Sequence, residues 1–101
     1  MGNYEVYSTA TFDKIYQTLD NSEILWIEKI KSKLEEKPTG DILRFDWFRE
    51  KKGLNKRLYY LIDEERKRIL LVSFASKKEQ QNIIAFVVAN MHELFTYLRN
   101  L

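Results

Sequence analysis

Basic side chains are concentrated in the middle of this sequence. Residues 44–78 contain eleven Lys and Arg against five Asp and Glu, a local net charge of +6 in a chain whose total is +2. The other residues therefore carry a net charge of −4. A guanidinium group binds phosphate through two parallel N–H groups, and an ammonium group adds a point charge. This segregation predicts a surface that attracts a polyanion; the alternative is that the charges only keep hairpin loops soluble.

Few residue types in this chain could carry catalytic chemistry. The sequence has no glycine-rich phosphate loop, no HExxH motif, no cysteine and a single histidine, so the usual signatures of nucleotide and metal sites are missing. We therefore expect no metal and no cofactor, and any catalysis must use Lys, Arg, Tyr or carboxylate side chains. His92 could act as an acid or base, but a histidine on the flank of a helix is more often a surface residue.

The composition favours a cytoplasmic protein. A chain without cysteine has no need of an oxidising compartment. Residues 1–12 have neither the basic nor the apolar segment of a signal peptide. The longest apolar run, residues 83–89, is far too short to cross a membrane.

Two helices are predicted to follow a short N-terminal strand. Residues 4–9 alternate between polar and apolar types, which favours a strand. A short helix then begins after Thr9 or Thr11, either of which could cap it. A second helix opens at Ser22 and is ended by Pro38.

Three strands and a last helix are predicted in the second half of the chain. The strands cover residues 42–49, 57–62 and 68–74, with a loop over residues 50–56 between the first two. The third of these strands is apolar on both faces, as a central strand would be. A helix with a wide apolar stripe opens at Lys78.

The resulting order, β-α-α-β-β-β-α, predicts a single α+β domain over residues 1–101. Its antiparallel sheet packs against an N-terminal helical hairpin, and a C-terminal helix completes the domain.

The same strands should gather the basic residues on one surface. Alternation along residues 57–62 places Arg57 and Tyr59 on the face opposite Leu58 and Tyr60, which must be core, so Arg57 and Tyr59 are expected to face outward. Aromatic rings among cations can stack on unpaired bases, which favours a surface for single-stranded RNA. The cations that sheet geometry could bring into this patch are Arg49, Lys51, Lys52, Arg57, Lys77 and Lys78.

Three segments of the sequence resemble the RelE/ParE toxin superfamily, and are nearest to its RelE/HigB-like branch. Gly40, Leu43 and Arg49 match a first motif of that family. The run Lys-Arg-Leu-Tyr-Tyr at residues 56–60 matches a second, and Phe-Ala-Ser-Lys-Lys at residues 74–78 matches a third.

The resemblance implies the toxin of a type II toxin-antitoxin system, held inactive by a cognate antitoxin. Many such toxins are metal-free, ribosome-dependent mRNA endonucleases, in which the 2′-hydroxyl attacks the neighbouring phosphate; mRNA and the ribosome would then be partners, without a membrane. The implied catalytic residues are Arg57, Lys77, Lys78 and Lys52. The implied RNA-binding residues are Arg49, Lys51, Lys56 and Tyr59.

Two departures from the family pattern keep an alternative open. Lys56 stands where the family prefers an aromatic residue, and no C-terminal catalytic Tyr or His is evident after Lys78. The alternative is a ParE-like inhibitor of DNA gyrase, or a catalytically inactive binding protein on the same scaffold.

Overall fold

The computed structural model describes residues 3–101, so the first two residues of the N-terminal segment lie outside it. A five-stranded sheet carries helices on both faces. The strands are β1 (Glu5–Ser8), β2 (Asp41–Leu43), β3 (Phe45–Gly53), β4 (Lys56–Asp63) and β5 (Arg68–Ala75). The helices are α1 (Ala10–Tyr16), α2 (Asn21–Glu36), α3 (Gln80–Ala89) and α4 (Met91–Arg99), with a 3₁₀ helix at Lys77–Glu79.

The spatial order of the strands is β1-β5-β4-β3-β2. The strand predicted to be central, β5, lies between β1 and β4, which confirms that interpretation of its two apolar faces. The sheet is mixed and not wholly antiparallel, because β1 pairs with β5 in the parallel direction. The chain leaves β1 through α1 and α2 to reach the far edge, and the antiparallel meander β2 to β5 then returns beside β1 in the same direction.

The first two helices begin at capping residues. The side-chain oxygen of Thr9 accepts the backbone N–H of Phe12 at 3.0 Å, as expected for the residue before α1. Asp20 caps α2, which begins at Asn21. Asp20 accepts the backbone N–H of Glu23 at 2.8 Å, while the Glu23 carboxylate accepts the backbone N–H of Asp20 at 3.1 Å. α2 therefore opens slightly before the predicted position.

The predicted loop over residues 50–56 is almost entirely strand. β3 continues to Gly53, and only Leu54 and Asn55 connect it to β4. Both connecting residues have positive φ, 57° and 63°, the conformation of a type I′ hairpin turn. The charged composition of this segment is typical of a loop, but the backbone of residues 50–53 pairs with β4.

The C-terminal helix is broken at Asn90 into α3 and α4. Both helices cover the sheet face that α1 and α2 leave open. On the α1/α2 side the core is formed by Phe12, Ile27, Ile30, Leu34, Leu58, Tyr60, Ile62, Ile69, Leu71 and Phe74. On the α3/α4 side it is formed by Leu43, Phe48, Tyr59, Leu61, Leu70, Val72, Ile84, Val87, Leu94 and Leu98.

Within residues 3–101, none of the helices has both the length and the apolar character needed to span a bilayer.

Candidate functional site

Three of the predicted catalytic residues meet at a cleft beside the β3–β4 turn. The cleft has a volume of about 360 Å³, and we call it the cation cleft. Lys52 and Arg57 lie directly opposite each other across β3 and β4, and Lys77 follows β5, whose Ala75 pairs with Arg57. The residues that line the cation cleft are Lys52, Gly53, Asn55, Lys56, Arg57 and Lys77.

Arg57 is held by a carboxylate that the sequence analysis did not single out. Its Nη1 lies 3.3 Å from Oε1 of Glu50, and the two side chains are only 13% and 9% exposed. The same Glu50 oxygen accepts a hydrogen bond of 3.0 Å from Nε2 of Gln80, the first residue of α3. Glu50 therefore links Arg57 both to β3 and to the C-terminal helices. The strand predicted over residues 42–49 stops before these residues. If it is extended through residue 52, alternation places Glu50 and Lys52 on one face, beside Arg57.

The expectation that Tyr59 faces outward is wrong. Its side chain is fully buried in the core on the α3/α4 side, because those helices cover the face that was expected to be free. Among the described residues its hydroxyl has no hydrogen-bond partner. Burial, and then the negative charge of Glu50, raises the pKa of this phenol above its ordinary value. A ring in this position cannot stack on a base.

The prediction that six cations form a single patch is also wrong, because the sheet separates them. Arg49 and Lys51 pair with Tyr60 and Leu58, so they point to the α1/α2 face, opposite to Arg57. Arg49 donates from Nε to the backbone oxygen of Asp46 at 2.7 Å. It also donates from Nη1 to the backbone oxygen of Gly40 at 3.3 Å. These contacts brace the β2–β3 hairpin and do not face the cation cleft.

Of the two remaining predicted residues, Lys56 lines the cleft and Lys78 does not. Nζ of Lys56 is 2.6 Å from Oε2 of Glu23 and 5.3 Å from the centre of the Phe74 ring, so its charge is already paired. Lys78 is exposed on the 3₁₀ helix but is not among the cleft-lining residues.

The cleft is suited to an anion. Lys52 and Lys77 are exposed, and neither takes part in an ion pair within residues 3–101. Arg57 supplies a guanidinium between them, and within residues 3–101 only its Nη1 contacts Glu50. Two ammonium groups and one guanidinium can hold a phosphate and stabilise extra negative charge on it. In the described part of the chain, His, Asp and Glu side chains form no group of three or more that could hold a metal ion.

No protein-family model matches the sequence, and no curated protein matches it significantly. Solved structures do match. The free form of a double mutant of the E. coli toxin RelE is 16% identical and has a TM-score of 0.74, covering 89% of this chain and 98% of its own. RelE in the intact E. coli RelBE complex is 15% identical, with a TM-score of 0.66 over 72% of this chain and 95% of its own. The Mycobacterium tuberculosis RelBE2 toxin-antitoxin complex gives 20% identity and a TM-score of 0.64, over 73% of this chain and 98% of the matched one.

These likenesses confirm the predicted α+β class and the resemblance to RelE at the level of the fold. The chain has the fold of the RelE toxins.

Proposed function

We propose that this protein is the toxin of a type II toxin-antitoxin system that cleaves mRNA on the ribosome, with RNA phosphate bound in the cation cleft. The observation that carries the proposal is the convergence of Lys52, Arg57 and Lys77 on one cleft of about 360 Å³. The RelE fold supports the choice of a toxin over other proteins that bind polyanions.

The proposed reaction adds negative charge to the phosphate, so it needs positive charge beside that phosphate. When a 2′-hydroxyl attacks the adjacent phosphate, the phosphorus passes through a five-coordinate species with added negative charge. A base takes the proton of the attacking hydroxyl, and an acid gives one to the departing 5′-oxygen. Lys52, Arg57 and Lys77 would stabilise the charge on the phosphate, and a cyclic 2′,3′-phosphate and a 5′-hydroxyl would be the products.

An antitoxin is the second proposed partner. The E. coli and M. tuberculosis proteins of the same fold occur in toxin-antitoxin complexes. Exposed apolar side chains on this protein give such a partner surface to cover; those on α3, α4 and the C-terminus are Phe86, Val88, Met91, Tyr97 and Leu101.

One observation favours a non-catalytic alternative. The Arg57 guanidinium already pairs with Glu50, and Lys56 with Glu23, so part of the local positive charge is neutralised within the protein. A binding protein on this scaffold, for example an inhibitor of DNA gyrase, would need the cleft only as a docking surface.

Induced expression in a bacterial host separates these functions. We expect growth arrest, with cellular mRNA broken at sites that carry 5′-hydroxyl ends. The double variant Lys52→Gln with Lys77→Gln should abolish both effects. The matched control, Arg66→Gln with Lys67→Gln, removes the same charge at the opposite end of β4 and should keep both effects. Growth arrest with intact mRNA and blocked DNA supercoiling would overturn the proposal in favour of a gyrase inhibitor.

A further inference from the structure

The end of the β3–β4 hairpin that carries the cation cleft is intrinsically unfavourable. Lys52 and Arg57 are directly opposite each other, and like charges in that relation destabilise a pair of strands. The turn that follows places Leu54 at a φ of 57°, a left-handed conformation that leucine rarely adopts. Both features favour fraying, so the hairpin end must be supported from outside.

The support comes from the first turns of α2. The Glu23 carboxylate lies 2.6 Å from Nζ of Lys56, the residue that pairs with Gly53 at the end of the ladder. The indole of Trp26 lies so close to Gly53 that a Cβ at position 53 would overlap with the ring. Trp26 is in turn stacked on Phe74, with 5.8 Å between ring centres.

We propose that Glu23 and Trp26 are positioning residues for the cation cleft. They hold the hairpin end against α2 and so fix Lys52 and Arg57 relative to Lys77, without touching the substrate themselves. The inference rests on the proposed function insofar as the bound anion is RNA.

Glu23 can be tested without damage to its helix. Its Oε1 accepts the backbone N–H of Asp20, whereas its Oε2 pairs with Lys56. A glutamine at this position keeps the hydrogen bond of the capping box and loses the charge. Glu28 on the same helix offers a matched control, because Glu28→Gln changes the net charge equally. Its contacts, with Lys31 at 3.6 Å and with the Tyr16 hydroxyl at 2.7 Å, lie away from the hairpin.

The experiment compares wild type, Glu23→Gln, Trp26→Leu and Glu28→Gln by amide hydrogen exchange and by binding of a short single-stranded RNA. We expect Glu23→Gln and Trp26→Leu to raise exchange at residues 52–57 by about tenfold over wild type, with exchange unchanged in residues 68–71, the half of β5 away from Phe74. RNA affinity should fall by about tenfold in both variants while Glu28→Gln matches wild type in both measurements. The melting temperatures of wild type and the three variants separate this local effect from a general loss of stability.

The two measurements keep the inference distinguishable from the proposed function. If wild type binds no RNA, the proposed function fails, yet the exchange at residues 52–57 still decides whether α2 fixes the hairpin. If Glu23→Gln and Glu28→Gln exchange alike at residues 52–57, the inference is wrong. It is equally wrong if exchange rises at the hairpin while RNA affinity stays at the wild-type value.

Discussion

Arg57 on β4 and Glu50 on β3 form an ion pair of 3.3 Å beside the cation cleft, with both side chains largely buried. The guanidinium proposed to hold phosphate is therefore also a structural group. A buried carboxylate that loses its cation keeps its desolvation cost without compensation. Function and stability are therefore coupled at Arg57, and a substitution there should lower the free energy of unfolding as well as phosphate binding.

Arg57→Ala should destabilise the protein by about 1–3 kcal/mol, because it leaves the Glu50 carboxylate buried beside Gln80 alone. Chemical denaturation measures this. Lys52→Ala, on the opposite strand of the same cleft, is the control and should change stability by about 0.5 kcal/mol or less, because Lys52 is exposed. Adding Glu50→Gln to Arg57→Ala should recover part of the loss. An Arg57→Ala protein as stable as wild type would show that the pair contributes nothing.

The α4 helix is expected to be part of the core and not an appendage. Leu98 is fully buried against the sheet, so Leu98→Ala should cost about 2–5 kcal/mol. Leu101→Ala makes the same change three residues later at a side chain that is 41% exposed, and should cost about 0.5 kcal/mol or less. Equal urea midpoints for the two variants would mean that α4 is not packed as described.

Stability should fall at alkaline pH in part through Tyr16. Its hydroxyl donates to Glu28 at 2.7 Å, and this hydrogen bond, followed by burial, raises the pKa of the phenol from 10.0 to about 12. The folded state therefore holds the proton more tightly than the unfolded state, and the contribution is complete below pH 10 and is lost as the pH rises toward 12. The difference in unfolding free energy between wild type and Tyr16→Phe should shrink over that range. A difference that stays constant with pH would contradict this linkage.

Leu54→Asn should stabilise the hairpin that carries the cleft. Asparagine tolerates the left-handed conformation that Leu54 adopts, and Leu54 is 46% exposed, so little packing is lost. We expect a gain of about 1 kcal/mol in the free energy of unfolding, measured in urea. A loss of stability would show that the Leu54 side chain matters more than its backbone conformation.

Much of the fold follows from local sequence patterns. The apolar residues of β4 and β5 predict two adjacent strands because hydrophobic alternation and short polar turns act over a few residues. Pairing between distant segments is different. Nothing in residues 4–9 specifies that β1 runs parallel to β5, since that direction follows from the path through α1 and α2.

The sequence patterns bring together three of the cations that line the cation cleft, but not the groups around them. Lys52, Arg57 and Lys77 lie close together as predicted, because they fall near the ends of neighbouring strands. The register that sets Lys52 opposite Arg57 is not predicted, because residues 50–56 have the composition of a loop. The prediction for Tyr59 is wrong because alternation separates two faces but does not say which face the C-terminal helices cover. The contact of Glu50 does not follow from the sequence, because the charged residues 50–56 have the composition of a loop. Its partner Arg57 lies seven residues away on the next strand.

The salt dependence of RNA binding tests the central claim most directly. For a single strand, log affinity falls with log salt by about 0.7 for each phosphate neutralised, so three engaged cations predict a slope near −2. Lys52→Gln with Lys77→Gln should flatten the slope by about one unit or more, whereas Arg66→Gln with Lys67→Gln should leave it unchanged. Equal flattening by both pairs would mean diffuse attraction by a basic protein, and no binding of RNA by wild type, with or without ribosomes, would contradict the account.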